Sequence, residues 1–211
     1  MEDIYILGSG GLAKEVYFLI KEINKFDVIA FIDIEEKKNI IFTEKSVPVI
    51  SEEDFLNQIH LITPKIAIGI GDPILIEKLS IKFNDFDFPN LIHPNVVLDH
   101  DNISMGKGNI LSPGVIMTTN IIIGDFNIFN LSVTIGHDVK IGNGNVFNPS
   151  VNISGQVKID NSNLFGVGSI VLQEKSIGSN STLGASALLT KNVEDNIVLV
   201  GIPAKKITKT Q

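Results

Sequence analysis

Residues 123–140 read IGDFNIFNLSVTIGHDVK, and residues 141–158 read IGNGNVFNPSVNISGQVK. The flanking blocks follow the same plan: MGKGNILSPGVIMTTNII at 105–122, IDNSNLFGVGSIVLQEKS at 159–176 and IGSNSTLGASALLTKNVE at 177–194. Every sixth residue from Met105 through Leu111, Ile123, Phe129, Ile135, Phe147, Ile153, Phe165 and Leu183 to Leu189 is apolar, although only 44% of the chain is. Chance gives such a run in some frame on the order of a few times in a hundred thousand, so the repeat is real. A second layer recurs every 18 residues: Asn at 109, 127, 145 and 163, and Phe at 129, 147 and 165.

Period 6 inside period 18 has a simple geometry: three short strands close a triangular coil, and coils stack as a parallel β-helix. In this frame an inward apolar residue is followed two places on by an outward one. Four places on, the chain points in again, where Val115, Val133, Val151, Ala187 and the Asn ladder supply small or flat side chains. Gly and Asn are expected at the corners, where left-handed backbone is cheapest for them. A six-residue period cannot keep one face on an α-helix. Open ends need covers. Residues 1–86 are expected to cap one end and 195–211 the other, with 87–104 as junction and degenerate first coil and 105–194 as the β-helix.

The first region obeys other rules. Ile4-Tyr5-Ile6-Leu7 reads as a strand, Gly8-Ser9-Gly10-Gly11 as a tight turn, and Leu12 to Asn24 as a helix with Val16, Leu19, Ile20 and Ile23 on one face. Val28 to Ile32 reads as a second strand ending at Asp33. Lys65 to Gly71 reads as a third strand and turn, and Ile74 to Lys82 as a helix. Gly8, Gly10 and Ala13 match the G-x-G-x-x-G/A fingerprint, with Asp33 twenty residues on. This is a half-Rossmann (βαβαβ) unit of α/β class. Its helix start can hold phosphate on backbone N–H groups, or the glycines can merely tighten a turn. One half suits a mononucleotide better than NAD, which makes a nicotinamide-dependent oxidoreductase a weak alternative.

Composition excludes other classes. The 211 residues carry 17 Lys and no Arg, against 24 acids, for a net charge of −7. An acidic chain without a basic stripe is a poor candidate for nucleic-acid binding. Zero Cys excludes a disulfide framework, a thiol nucleophile and Cys-ligated metal. No stretch reads as a membrane span or a signal peptide, so a cytoplasmic location is expected. The four His lack metal-ligand spacing, so no metal is expected. His60 reads as a surface residue and His93, before Pro94, as structural. Without Arg, phosphates must rest on backbone amides, Ser9 or Lys14.

His137 is the candidate for chemistry. It stands two residues after inward Ile135, so it points outward, and an imidazole can serve as a general base near neutral pH. Stacking puts Thr119 one coil below it, Gly155 one coil above and Gln173 two above. A glycine above the base leaves a bare N–H and open space, as an oxyanion requires. A solvent-exposed surface His is the plain alternative. With no Cys and no Ser–His pair, direct transfer in a ternary complex is expected rather than a covalent acyl-enzyme.

The hexapeptides resemble those of left-handed β-helix acyltransferases that use acetyl-CoA. The glycine-rich start, Asp33, Ala67-Ile68-Gly69, Leu91-Ile92-His93-Pro94, Gly136-His137-Asp138 and Val200-Gly201-Ile202-Pro203-Ala204-Lys205 together resemble the sialic-acid O-acetyltransferase and nucleotide-amino-sugar N-acetyltransferase family, over nearly the whole chain. The resemblance implies a homotrimer with sites between neighbouring β-helices. It implies that His137 is the base, Asp138 orients it, and Gly155 receives the acetyl carbonyl. Val167 and Ala185 would line the pantetheine path, and Pro203, Ala204 and Lys205 the adenine end. Gly8, Ser9, Gly10, Gly11 and Gly69 would hold the nucleotide-sugar, Asp33 its base or ribose, and Asn130 the sugar. The expected activity is acetyl-CoA-dependent N-acetylation of the 4-amino group of a UDP- or dTDP-linked amino-deoxysugar for surface glycan synthesis. O-acetylation of sialic acid is the alternative, and a non-catalytic nucleotide-sugar-binding scaffold the alternative of another class. Two positions depart from some members, which carry His where this chain has Leu12 and Val146.

Overall fold

The computed structural model describes residues 1–43, 45–58 and 64–207; His60 lies outside them. The first region folds as β1 (Glu2–Leu7), α1 (Gly11–Ile23), β2 (Phe26–Asp33), β3 (Lys37–Ile41), β4 (Ser46–Ser51), α2 (Glu52–Gln58), β5 (Lys65–Ile68) and α3 (Pro73–Lys82). The sheet order is β3-β4-β2-β1-β5, with β3 antiparallel at the edge and the other neighbours parallel. Ile4, Ile6, Ile20, Phe31 and Ile66 are wholly buried between sheet and helices. The expected βαβ plan is present, and β3, β4 and α2 are added to it between Asp33 and Lys65. They escaped pattern reading because Lys37–Ile41 is mostly exposed and Ser46–Ser51 carries Pro48.

From Leu91 onward the chain is a left-handed parallel β-helix. Three parallel sheets run along it, one per face. The first stacks Leu91–Ile92, Ile110–Leu111, Ile128–Phe129, Val146–Phe147, Leu164–Phe165 and Thr182–Leu183. The second runs from Val97–Leu98 to Leu188–Leu189, and the third from Ile103–Met105 to Ser176–Ile177. From Ile103 to Leu189 residues pair with those 18 positions on, as in Phe129↔Phe147, while Leu91 and Val97 pair 19 positions on, with Ile110 and Ile116. Inside, Phe129, Phe147 and Phe165 stack face to face with centroids 4.8 and 4.6 Å apart. Asn109, Asn127, Asn145 and Asn163 form a fully buried ladder. The Asn127 Oδ1 accepts from both the backbone N and the Nδ2 of Asn145, each at 3.0 Å. Burial of these amides is tolerable because each is satisfied by the next coil.

The corners revise the expected role of glycine. Every sixth residue from Gly108 to Ser186 has a positive φ, whatever its type: Phe126, Gln156 and Glu174 as much as Gly114 or Asn120. The coil imposes the left-handed turn, and side chains comply. Gly106, Gly124, Gly142 and Gly178 are not among these positions. A Cβ on Gly124 would lie 2.7 Å from the carbonyl oxygen of Gly142. These glycines permit close stacking of coils rather than left-handed backbone.

The first region does more than cap an end. Ile110, Ile128 and Val146 point outward from the first sheet, yet all three are 3% exposed because they share one apolar cluster with Phe31, Phe83, Phe88 and α1. The domain therefore lies along the first face. Val146 is a packing residue here. At the other end Val198–Val200 pairs with Thr182–Leu183, and Lys205–Lys206 folds back on it. Ile197, Leu199 and Ala204 cover the last inward residues. Among the described residues no helix is long and apolar enough to cross a membrane.

Candidate active site

His137 and Asp138 sit at the corner between the second and third faces. Asp138 takes the left-handed turn at φ 59°, which its short polar side chain tolerates. The turn swings its carboxylate beside its neighbour, and His137 Nδ1 lies 2.6 Å from Asp138 Oδ2. The other carboxylate oxygen accepts from Asn120 Nδ2, one coil below. Hydrogen bonding from His137, then from Asn120, holds the Asp138 carboxyl below the usual carboxylate value. An ionised Asp138 accepts the Nδ1 proton, which leaves Nε2 with its lone pair directed at the next coil. There a Cβ on Gly155 would stand 2.6 Å from His137 Nε2. Only glycine leaves that space open. The Gly155 N–H bonds to no acceptor of the described residues, whereas its carbonyl receives Glu174 N at 3.1 Å. A base and an unused amide thus face one small volume.

A second site opens at the C-terminal edge of the N-terminal sheet. A cleft of ≈ 940 Å³ is lined by Gly8, Ser9, Gly10, Gly11, Asp33 and Gly69. Gly8 turns at φ +97°, and Cβ atoms on Gly10 and Gly11 would meet nothing within 4 Å, so the start of α1 presents bare backbone. Gly69 serves packing instead. Its Cβ would lie 2.7 Å from Ala13 Cα, so its bare backbone lets α1 approach β5. Asp33 does not stand free. Ser9 Oγ donates to it, Lys37 Nζ binds it at 2.7 Å and Ile34 N at 2.8 Å. Burial pushes the Asp33 carboxyl up, but the hydrogen bonds from Lys37 and Ser9 outweigh it and hold it below the ordinary value.

Sequence reasoning missed the cations of this cleft. Lys37, Lys78 and Lys82 line it and Lys14 does not. Lys82 pairs with Glu52. The spacing of Lys78 and Lys82 on α3 was the available signal. His93 Nδ1 accepts from Asn95 N at 3.0 Å within a turn. Among the described residues no group of His and carboxylates could hold a metal ion.

The remaining expected residues lie apart from His137 within one chain. Val167 and Ala185 follow inward Phe165 and Leu183 by two residues, at the corner between the first and second faces. Asn130 occupies the same corner, its Oδ1 accepting from Leu131 N at 2.7 Å. Pro203, Ala204 and Lys205 belong to the tail, where Ala204 N donates to Leu188 O at 2.8 Å.

A Rossmann-like sheet with a glycine-lined cleft, carried on a left-handed β-helix, defines a hexapeptide-repeat acyltransferase fold. Residues 3–83 match the PglD N-terminal domain family. No curated protein sequence matches the chain. Among solved structures, a mutant of perosamine N-acetyltransferase from Caulobacter crescentus, in complex with CoA and GDP-perosamine, is 26% identical. The match covers 99% of this chain and 98% of that one, with a TM-score of 0.89. WeeI from Acinetobacter baumannii AYE is also 26% identical, over 98% and 100% of the two chains, with a TM-score of 0.86. The acetyltransferase domain of PglB from Neisseria gonorrhoeae FA1090, with acetyl coenzyme A, shares the fold at 23% identity and a TM-score of 0.88, over 98% and 99%. The domain match and the structural matches support the hexapeptide-repeat nucleotide-amino-sugar acetyltransferase family.

Proposed function

We propose that this protein transfers the acetyl group of acetyl-CoA to the 4-amino group of a nucleotide-linked amino-deoxysugar. The observation that carries the proposal is the His137–Asp138 pair set directly beneath the open Gly155 amide. The amine attacks the thioester carbonyl. His137 Nε2 takes the amine proton, and the Gly155 N–H receives the developing oxyanion. Collapse breaks the C–S bond, and the proton on His137 passes to the departing CoA thiolate. Asp138, anchored by Asn120, fixes the tautomer and supports the imidazolium. No covalent acyl-enzyme is needed, because amine and thioester meet on one base.

The glycine-lined cleft holds the nucleotide, with phosphates on the amides at the start of α1 and on nearby Lys side chains. Binding of CoA and GDP-perosamine by the Caulobacter protein supports sugar N-acetylation. The UDP or dTDP expectation is therefore best tested beside GDP. The folded chain also favours the trimer. The N-terminal domain lies along the first face, whereas His137 is at the opposite corner, so one chain's cleft meets another chain's base. Asn130, Val167 and Ala185, at a different corner from His137, complete the site in the same way across a subunit boundary.

The test is acetyl-CoA turnover with 4-amino sugars on UDP, dTDP and GDP carriers, with sialic acid as the O-transfer control. Turnover of one amino-sugar nucleotide is expected. His137→Ala should lower kcat by about 10²–10⁴ without altering the assembly. Inertness toward every amino sugar, or a full rate in His137→Ala, would overturn the reading.

A further inference from the structure

A second crevice, of ≈ 300 Å³, lies where α3 crosses the corner between the third and first faces, and is large enough for a small ligand. The helix divides it from the glycine-lined cleft. Leu75, Lys78 and Leu79 line the cleft, whereas Ile76, Glu77 and Ser80 line the crevice. The opposite wall is a ladder built by the coil. Asp125, Asn143 and Asn161 each stand two places after an inward Ile of the third face, one coil apart. Asp125 Oδ1 accepts from Lys107 N at 2.8 Å, Asn143 Oδ1 from Asp125 N at 2.7 Å and Asn161 Oδ1 from Asn143 N at 2.8 Å. Each side chain is thus held by the backbone of the coil below. Asp125 Oδ2 and the two Asn Nδ2 groups have no partner among the described residues.

Ile76 and Phe126 add apolar lining to the crevice. Ser162 lines it too and is only 8% exposed, yet its Oγ reaches Glu77 alone, at 3.4 Å, longer than an O–H···O bond ordinarily is. A buried hydroxyl so poorly matched is accounted for by an occupant that completes it. Charge narrows what that occupant is. Glu77 and Asp125 line the crevice and no Lys does; Lys107 turns its Nζ over the rings of Phe88 and Phe126 instead. A phosphate is repelled here, which sets the crevice apart from the cleft with its three Lys. Two carboxylates favour a cation, two amides and a hydroxyl favour hydroxyl groups, and the apolar lining favours the C–H face of a ring. Coils stand ~4.8 Å apart, which is close to the spacing of alternate equatorial hydroxyls on a pyranose.

We propose that this crevice binds an unphosphorylated amino sugar, at a site separate from the transferase centre. The ammonium of the sugar sits between Glu77 and Asp125, and its hydroxyls meet Asn143, Asn161 and Ser162. The test is saturation-transfer NMR with glucosamine, glucose and glucose 6-phosphate, slightly below neutral pH, with UDP, GDP and CoA in excess to fill the other sites. Glucosamine is expected to bind, glucose to bind roughly tenfold more weakly for want of the charge-assisted contacts, and glucose 6-phosphate not at all. Glu77→Gln combined with Asp125→Asn keeps an acceptor for Lys107 N and should remove the preference for glucosamine while leaving glucose binding unchanged. Ser80→Trp, which fills the crevice from α3, should abolish both signals. A glucosamine signal that is absent, that UDP, GDP or CoA displaces, or that the paired charge-removing variant leaves at full strength would overturn the assignment.

Discussion

At the scale of single residues, both sites depend on a carboxylate whose partners decide what it can do. Asp138 is clamped between His137 and Asn120, which suits it to orient a base rather than to receive a proton. Asp33 is bound by Lys37, Ser9 and its own following amide, so a ligand entering the cleft meets a neutralised pair rather than a lone acid. The sign of its pH effect follows. A carboxyl lowered by folding contributes stability above its ordinary value, and loses it as pH falls from about 4 through the lowered folded value. Asp33→Asn should therefore lower stability at neutral pH by under about 1 kcal/mol, since Lys37 is half exposed. Its deficit relative to the unaltered protein should close below about pH 4. Urea unfolding at pH 7 and pH 3 checks this. A deficit that is the same at both pH values means that the carboxylate charge is not what Ser9 and Lys37 recognise. Position 33 was legible in the sequence from its spacing to the glycines. Lys37 was not, because the strand that carries it has no regular alternation.

At the scale of elements, the coil is a machine for repeating one backbone, and its glycines divide into two kinds. Gly144 turns at φ +65° with nothing tight around it, its nearest neighbour being Ser162 Oγ at 3.7 Å. Ser150, Gln156 and Ser162 make the same turn without glycine. Gly124 has no such φ, but its Cβ would strike the next coil. Gly144→Ala should then cost about 1 kcal/mol, the strain of one left-handed residue. Gly124→Ala should cost about 3 kcal/mol, because the stacked coils must part. Thermal unfolding of the two variants separates the cases; equal costs would mean that coil spacing is not set by these glycines. This is also where the sequence reads least directly. The inward positions that begin each strand announce themselves every six residues because all are apolar, whereas the inward positions four places on also admit the hydrogen-bonded Asn ladder. The corner demands only a backbone angle, which Phe126 and Glu174 adopt as well as Gly114, so residue type there carries little information.

At the scale of the whole molecule, the placement of the N-terminal domain governs what one chain can do alone. Burial of Ile110, Ile128 and Val146 fixes that domain along the first face. His137 projects from the corner where the second and third faces meet, the part of a triangular section farthest from the first. The sequence pointed to both candidate sites but not to their separation, because a repeat period fixes which residues stack and says nothing of which face a preceding domain covers. Exposed Ile116 and Ile170 on the second face, and Leu131 and Val167 at its first corner, offer the apolar surface through which β-helices can pack side by side. The proposed site, assembled across that surface, would take its base from one chain and its nucleotide cleft from another. Two crippled chains should therefore rescue each other. A His137→Ala chain keeps its cleft, and a chain with Gly10→Asp, which places a carboxylate at the proposed phosphate-binding turn, keeps its proposed base. Each pure protein should be inactive. Co-expressed in equal amounts and mixed at random in a closed ring, they should recover about a quarter of the sites, where an intact base faces an intact cleft. Light scattering on the same samples should show one trimeric species. Activity no higher than that of either variant alone, from a confirmed mixed trimer, would mean that each chain builds its site by itself.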